Sequence, residues 1–383
     1  MPLHIMESRY IHLARALEGY TRTGVALIEY NGTELAPSLP ADDIGIYCII
    51  PKIAKVFSLP LDTSIHIFFV GITILASILG AAGFFSLYRS FFTRTISYLG
   101  ITFLTLYCLQ ITDVYLAYAV TAIAIIPWAL YFTQRNNNSV FFPLFTFLAV
   151  ICIGFFHYIR ANSGTAALIF LTLLIVTMPQ PKLKKALLVG LIFLGIIFPV
   201  LYFKSVISKT QAYAHQHLEG RLGDPYHPFW HQMYIGLGFL SNDLGLSYDD
   251  SVGFRLVEKS APNTPYPSAA SEKILKNEVS RLRKEHFIFV VHTVGAKLGI
   301  TLLYFLLFAN FGIFAAFFYP QRWRIIFAFF CALAFSALFG IIAIPYRDYL
   351  LGFFACATLF GITSINHAVS QLKTTSPFFK KFL

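Results

Sequence analysis

The chain has 383 residues, of which 57% are hydrophobic and only 12% charged, with 41 Phe and 21 Tyr and a mean hydropathy of +0.68. An ordinary soluble domain is about 45–50% apolar and about 25% charged, so the composition excludes that class and leaves an all-α integral membrane protein. The formal net charge of +11 is spread between apolar stretches with no contiguous basic face; this argues for no nucleic acid partner and for contacts with membrane lipids.

In chain order, residues 1–63 come first as an N-terminal segment, in which Met1 to Gly24 lacks a continuous apolar core. Glu7 to Leu27 mixes apolar residues with three arginines, the pattern of an interfacial amphipathic helix. Asn31 to Pro40 is a turn-rich linker. Ala41 to Phe57 then reads as a short helix along the membrane surface, with Asp42 and Asp43 in its first turn, where the helix dipole favours carboxylates.

A bilayer core of about 30 Å needs about 20 apolar residues as helix. About nine transmembrane helices are expected, near 64–87, 95–112, 115–133, 140–158, 163–178, 186–203, 297–318, 324–344 and 348–368. The fifth is short, and Pro127 and Pro199 fall inside the third and sixth, where neighbouring helices can re-satisfy freed carbonyls. The expected organisation is thus 1–63, a six-helix bundle over 64–203, a large loop domain over 204–296, and a three-helix bundle with a short tail over 297–383. The five cysteines are scattered singly with no metal-like spacing and read as small buried hydrophobes.

Charge sets the expected sidedness. One set of connections carries Arg89, Arg94, Arg135, Lys182, Lys184, Lys185, Arg322, Arg324 and the tail lysines, with no Asp or Glu; all 18 acidic residues fall on the other side. The positive-inside rule makes the basic side cytoplasmic. The 204–296 loop is then extracytoplasmic, and the expected location is the inner (plasma) membrane, multi-pass, with an active site on the outer face. The same topology places residues 1–63 outside, which leads us to expect either a translocated tail or a further span upstream.

Within the large loop, Ser205 to Glu219 is expected to continue the sixth helix outward, and His231 to Leu240 to form a small buried helix. Ser271 to His292 should form an amphipathic helix leading to the seventh span. The loop holds the densest titratable and aromatic run of the chain, including His227, Trp230, His231, Tyr234, Asp249 and Asp250. The aromatics suit either sugar faces or headgroup anchoring. Asp249 and Asp250 suit sugar hydroxyls, a divalent cation, or a simple turn. His227 and His231 are four apart, but Pro228 disfavours helix at His227 and no third ligand is dictated; no metal site is assigned, and a divalent cation stays possible.

Short outer connections should be poor in Lys and Arg, yet two of them each carry one arginine, Arg160 in His157-Tyr-Ile-Arg-Ala-Asn-Ser-Gly164 and Arg347 in Ile344-Pro-Tyr-Arg-Asp348. A guanidinium there suits a lipid phosphate, which it binds bidentately while staying charged; snorkelling, or pairing of Arg347 with Asp348, is the alternative. Asp42 and Asp43 offer either a general base or a helix cap.

The stretch Ala41-Asp-Asp-Ile-Gly-Ile-Tyr47, ahead of a span in a chain with a large loop before its last spans, resembles the first outer loop of GT-C type glycosyltransferases. The resemblance implies catalytic acidic residues at Asp42 and Asp43, with Asp43 favoured because it abuts Ile44-Gly-Ile-Tyr47. It implies a polyprenyl-phosphate-linked sugar donor and an extracytoplasmic glycan or glycolipid acceptor. Arg160 and Arg347 would then hold the departing phosphate, with His227, Trp230, His231, Tyr234, Asp249 and Asp250 lining the substrate cleft. An O-antigen polymerase or ligase would instead place its chemistry in the large loop. A lipid-linked-sugar flippase or transporter would favour ionisable groups at the bilayer midplane, which the expected spans lack.

Overall fold

The computed structural model describes residues 5–38, 43–135, 139–218, 228–318 and 323–375. The chain opens with α1 (Glu7–Thr23), stopped by Gly24 at φ 71, where the left-handed conformation costs glycine nothing. The linker expected at 31–40 contains the turn and second strand of an antiparallel hairpin, β1 (Ile28–Tyr30) with β2 (Leu35–Pro37). Asn31 Oδ1 closes its tip by accepting from the Thr33 and Glu34 amides, each at 2.9 Å. Then comes α2 (Ile44–Phe57), on which α1 packs.

The apolar stretches follow as α3 (Leu61–Leu87), α4 (Phe91–Cys108), α5 (Leu116–Gln134), α6 (Phe141–Ile159), α7 (Thr165–Thr177) and α8 (Lys182–His217). The loop region holds α9 (Phe229–Gly236), running into a 3-10 turn, then α10 (Asp250–Ser260) and α11 (Ala269–Glu285); the chain closes with α12 (Phe287–Ala309), α13 (Gly312–Phe317), α14 (Trp323–Ile342) and α15 (Leu351–Thr375). Among the described residues seven helices are long and apolar enough to cross a membrane: α3, α5, α6, α8, α12, α14 and α15. This is a multi-pass helical membrane protein. The other two expected positions are occupied by α4, whose apolar run is interrupted by Arg94 and four threonines, and by α7, which at 13 residues rises only about 20 Å.

Two helices form the axis of the bundle. In α5 and α15, 78% and 89% of the apolar window is buried, against 17–33% in the other five. The outer helices pack α3 and α7 on α5, α12 and α14 on α15, and α8 on α6. Their outward residues, such as Leu75, Leu148, Phe193 and Leu303, are exposed, which hydrocarbon around them tolerates. The two long helices with an internal proline, α5 with Pro127 and α8 with Pro199, are each met by a glycine from a neighbour. A Cβ on Gly83 of α3 would lie 2.9 Å from Pro127, and one on Gly154 of α6 would lie 2.6 Å from Pro199. Small residues let backbones approach closely where lipid supplies no hydrophobic drive for association.

The loop helices have a small core of their own, built from Tyr234, Ile235, Leu246, Val257, Leu275 and Val279 among others. The last helical group begins earlier than its hydropathy suggests. Helix α12 starts at Phe287, not near Lys297, because Lys297 is itself buried. Its ammonium donates to the carbonyls of Ile341 at 3.0 Å and Ala343 at 2.5 Å, groups the end of α14 leaves without helical partners.

Candidate active site

Six segments come together at one end of the bundle: the start of α1, the start of α2, the residues just before α5, the α6–α7 turn, the loop helices and the residues just before α15. Between them lies a cavity of about 660 Å³, whose walls include Arg9, Asp43, Tyr115, Arg160, Asp249 and Asp250. Asp43, Arg160, Asp249 and Asp250, distant in the chain and proposed from sequence for separate reasons, thus face one space.

Asp43 occupies the N-cap position of α2, not its first turn, and its side chain makes no cap bond. It turns instead to Arg9, whose Nε donates to Asp43 Oδ2 at 2.6 Å. Arg9 Nη1 donates to Asp113 at 2.9 Å, and the Met6 amide donates to the same carboxylate at 3.0 Å. All three charged side chains are nearly inaccessible. Burial opposes the Arg9 charge, but Asp113 and Asp43 outweigh it and raise the guanidinium pKa. The node welds α1 to α2 and to the start of α5, and it leaves Asp43 with one oxygen already committed.

Arg160 is placed by the way α6 ends. The helix stops at Ile159, and Arg160 continues as extended backbone at φ −149, ψ 127. The turn that follows is held by Ser163 Oγ donating to the Phe156 carbonyl at 2.6 Å and the Asn162 amide donating to His157 Nδ1 at 3.0 Å. The Tyr115 ring lies under both guanidiniums, with Arg160 at 4.9 Å and Arg9 at 5.1 Å from its centre. Arg160 also borders a second, largely apolar cleft of about 180 Å³, walled by Tyr118, Phe229, Phe339, Ile342 and Ala343. Pro228, Gln232 and Tyr349 line both spaces, so the polar cavity and the apolar cleft adjoin at Arg160.

From the loop side, Glu272 accepts hydrogen bonds from the backbone amides of Trp230 at 2.6 Å and His231 at 2.9 Å, a buried carboxylate on the N-terminus of α9. His231 is buried behind the cavity wall; its Nε2 meets Asp250 Oδ1 at 2.8 Å and its Nδ1 meets the Tyr266 hydroxyl. Asp249 caps α10, accepting from the Ser251 amide at 2.8 Å, and this hydrogen bonding holds its pKa below the ordinary carboxylate value. Tyr248 donates to Tyr349 Oη at 2.7 Å, docking the loop on the segment before α15.

Asp43, Arg160, Asp249 and Asp250 therefore share the cavity, and His231 stands one contact behind it. Trp230 and Tyr234 do not line it: Trp230 packs beside Phe229 under the Lys276 ammonium, and Tyr234 belongs to the loop core. Arg347 bonds to Asp348 at 3.2 Å and also lies off the cavity. Asp42 and His227 fall outside the described residues. Among the described residues no group of three His, Cys, Asp or Glu side chains is arranged to hold a metal ion. Local spacing did not point to Arg9, because its carboxylate partners lie 34 and 104 residues away. Tyr115, Tyr266, Glu272 and Tyr349 carry no motif either.

Fold and site together define a polytopic helical membrane protein with a charged cavity at one end, opening beside an apolar cleft. Comparison with protein-family models, with curated proteins and with solved structures returns no match.

Proposed function

We propose that the protein is an integral-membrane glycosyltransferase of the GT-C type, moving a sugar from a polyprenyl-phosphate-linked donor to an extracytoplasmic glycan or glycolipid acceptor. The observation that carries this reading is the position of Arg160 at the junction of a polar cavity and an apolar cleft. An amphiphile with a phosphate at the junction would lay its isoprenoid beside Phe229, Phe339 and Ile342 and its sugar toward Asp43, Asp249 and Asp250. A guanidinium is well matched to the leaving phosphate, since it gains most from the charge that grows as the glycosidic bond breaks. About 660 Å³ accommodates a sugar and an acceptor hydroxyl group together. The charge pattern of the connections supports an extracytoplasmic position for this end.

The test is alanine substitution of Arg160 and of Asp43 in the native host, with surface glycans analysed by mass spectrometry. Loss of the same sugar in both variants is the expected result. Unchanged glycans in both would overturn the reading.

A further inference from the structure

Three carboxylates reach the cavity, and they are not equivalent. Asp43 is 2% exposed, and Arg9 holds its Oδ2. Asp249 is engaged as the cap of α10. The Asp250 side chain is 84% exposed, yet one of its oxygens is fixed by His231. We propose that Asp250 is the general base that deprotonates the acceptor hydroxyl, oriented by a Tyr266–His231 relay. This assignment rests on the glycosyltransferase reading.

The hydrogen-bond chain runs from Tyr266 through His231 to Asp250. An exposed carboxylate is an acceptor only, so His231 Nε2 carries the proton and donates to Asp250 Oδ1. Nδ1, on the other side of the ring, meets the Tyr266 hydroxyl. Burial, with the Asp250 and Glu272 carboxylates adding to it, raises the Tyr266 phenol pKa, so the hydroxyl keeps its proton. The backbone of His231 is pinned in turn by Glu272, and the ring meets Tyr266 edge-on at 5.5 Å. The imidazole is therefore held at both nitrogens and at its backbone. That leaves Oδ2 of Asp250 for the cavity the residue lines.

In the transfer, the acceptor O–H bond breaks and its proton passes to Asp250 Oδ2. The acceptor oxygen forms a bond to the anomeric carbon, and the bond from that carbon to the donor's phosphate oxygen breaks, its electron pair leaving on the phosphate beside Arg160. The exposed Asp250 then returns its proton to solvent. His231 and Tyr266 are positioning residues and exchange no proton with the substrate.

The experiment measures transfer in native-host membranes carrying the full-length protein, with endogenous donor and acceptor, by mass spectrometry of the product. Binding of decaprenyl phosphate to the purified protein is followed in parallel by native mass spectrometry. Asp250→Asn is expected to lower transfer about 100-fold, as loss of a general base does, while decaprenyl phosphate binding stays at the wild-type level. Asp250→Glu should recover part of the rate. Tyr266→Phe should lower kcat about 10-fold, a fraction of the full general-base effect, without raising KM. Wild-type transfer by Asp250→Asn overturns the assignment and leaves the glycosyltransferase reading standing. Joint loss of binding and transfer in Asp250→Asn makes the residue a donor ligand and also overturns it. A wild-type protein that neither binds decaprenyl phosphate nor transfers removes both readings.

Discussion

At the scale of single residues, Arg9 is the member of the cavity wall whose loss should be felt most. It is 9% exposed and sits between two buried carboxylates, Asp43 and Asp113. Arg9→Met leaves both carboxylates buried and facing each other, and removing one partner from such a cluster costs about 3–5 kcal/mol. The expected outcome is a marked fall in the apparent Tm of the detergent-solubilised protein, with Asp113→Asn milder because the amide still accepts from Arg9. Local sequence made Asp43 and Arg160 legible, one by an acidic pair ahead of an apolar helix, the other by a cation on the acidic side. It gave no handle on Arg9, because a buried ion pair is defined by who arrives from elsewhere in the chain. Trp230 and Tyr234 show the converse: an aromatic-rich loop is equally what a loop needs to build a core of its own, and both side chains serve packing.

Among the elements, helices were readable wherever apolar periodicity was long, and least readable where one residue's charge broke the run. Lys297 is the instructive case. Hydropathy treats a lysine as a boundary, whereas free carbonyls at the end of α14 make it an interior position. Helix α9 depends on Glu272 in the same way, since its first amides are satisfied from another element. Glu272→Ala should cost about 1.5–3 kcal/mol, the range for hydrogen bonds to a charged group, and should loosen α9 first, visible as faster hydrogen exchange over residues 229–236. The glycine–proline contact between α6 and α8 gives a second handle. Gly154→Val forces a branched side chain onto the Pro199 ring, and overpacking of this kind costs about 1–3 kcal/mol; a lower apparent Tm without loss of helical circular dichroism is expected. The docking of the loop also has a pH signature. Burial pushes the Tyr248 phenol up to about 12 from 10.0, so its protonated, donating form is favoured by the folded state. That contribution is complete below pH 10 and is lost as pH rises toward 12, and proteolysis within 228–285 should quicken over that window.

For the whole molecule, the arrangement is a buried helical pair, α5 and α15, with more exposed helices around it and a cavity at one end. The axial position of these two helices was not evident from hydropathy, because a helix buried in protein and one facing lipid are equally apolar. Small residues such as Ala117, Ala119, Ala122 and Ala129 let neighbours pack closely on α5, but α3 carries as many, with Gly71, Ala76, Gly80, Ala81, Ala82 and Gly83 among them, so composition does not single out the axial pair. Nor did hydropathy bring the cavity walls together, since that follows from packing between segments far apart in sequence. The 36 residues of α8 make a rod about 54 Å long, against a hydrocarbon layer of about 30 Å. Its last turns, with Gln216 exposed, stand clear of the lipid like a mast, stayed by Thr210 holding the Ala26 carbonyl at 2.7 Å. The native thiols are at least partly shielded, so a single Gln216→Cys variant offers a lone reactive flag. A maleimide too polar to permeate should mark it in intact cells, and from which bank of the membrane the mark is laid tells where the cavity faces.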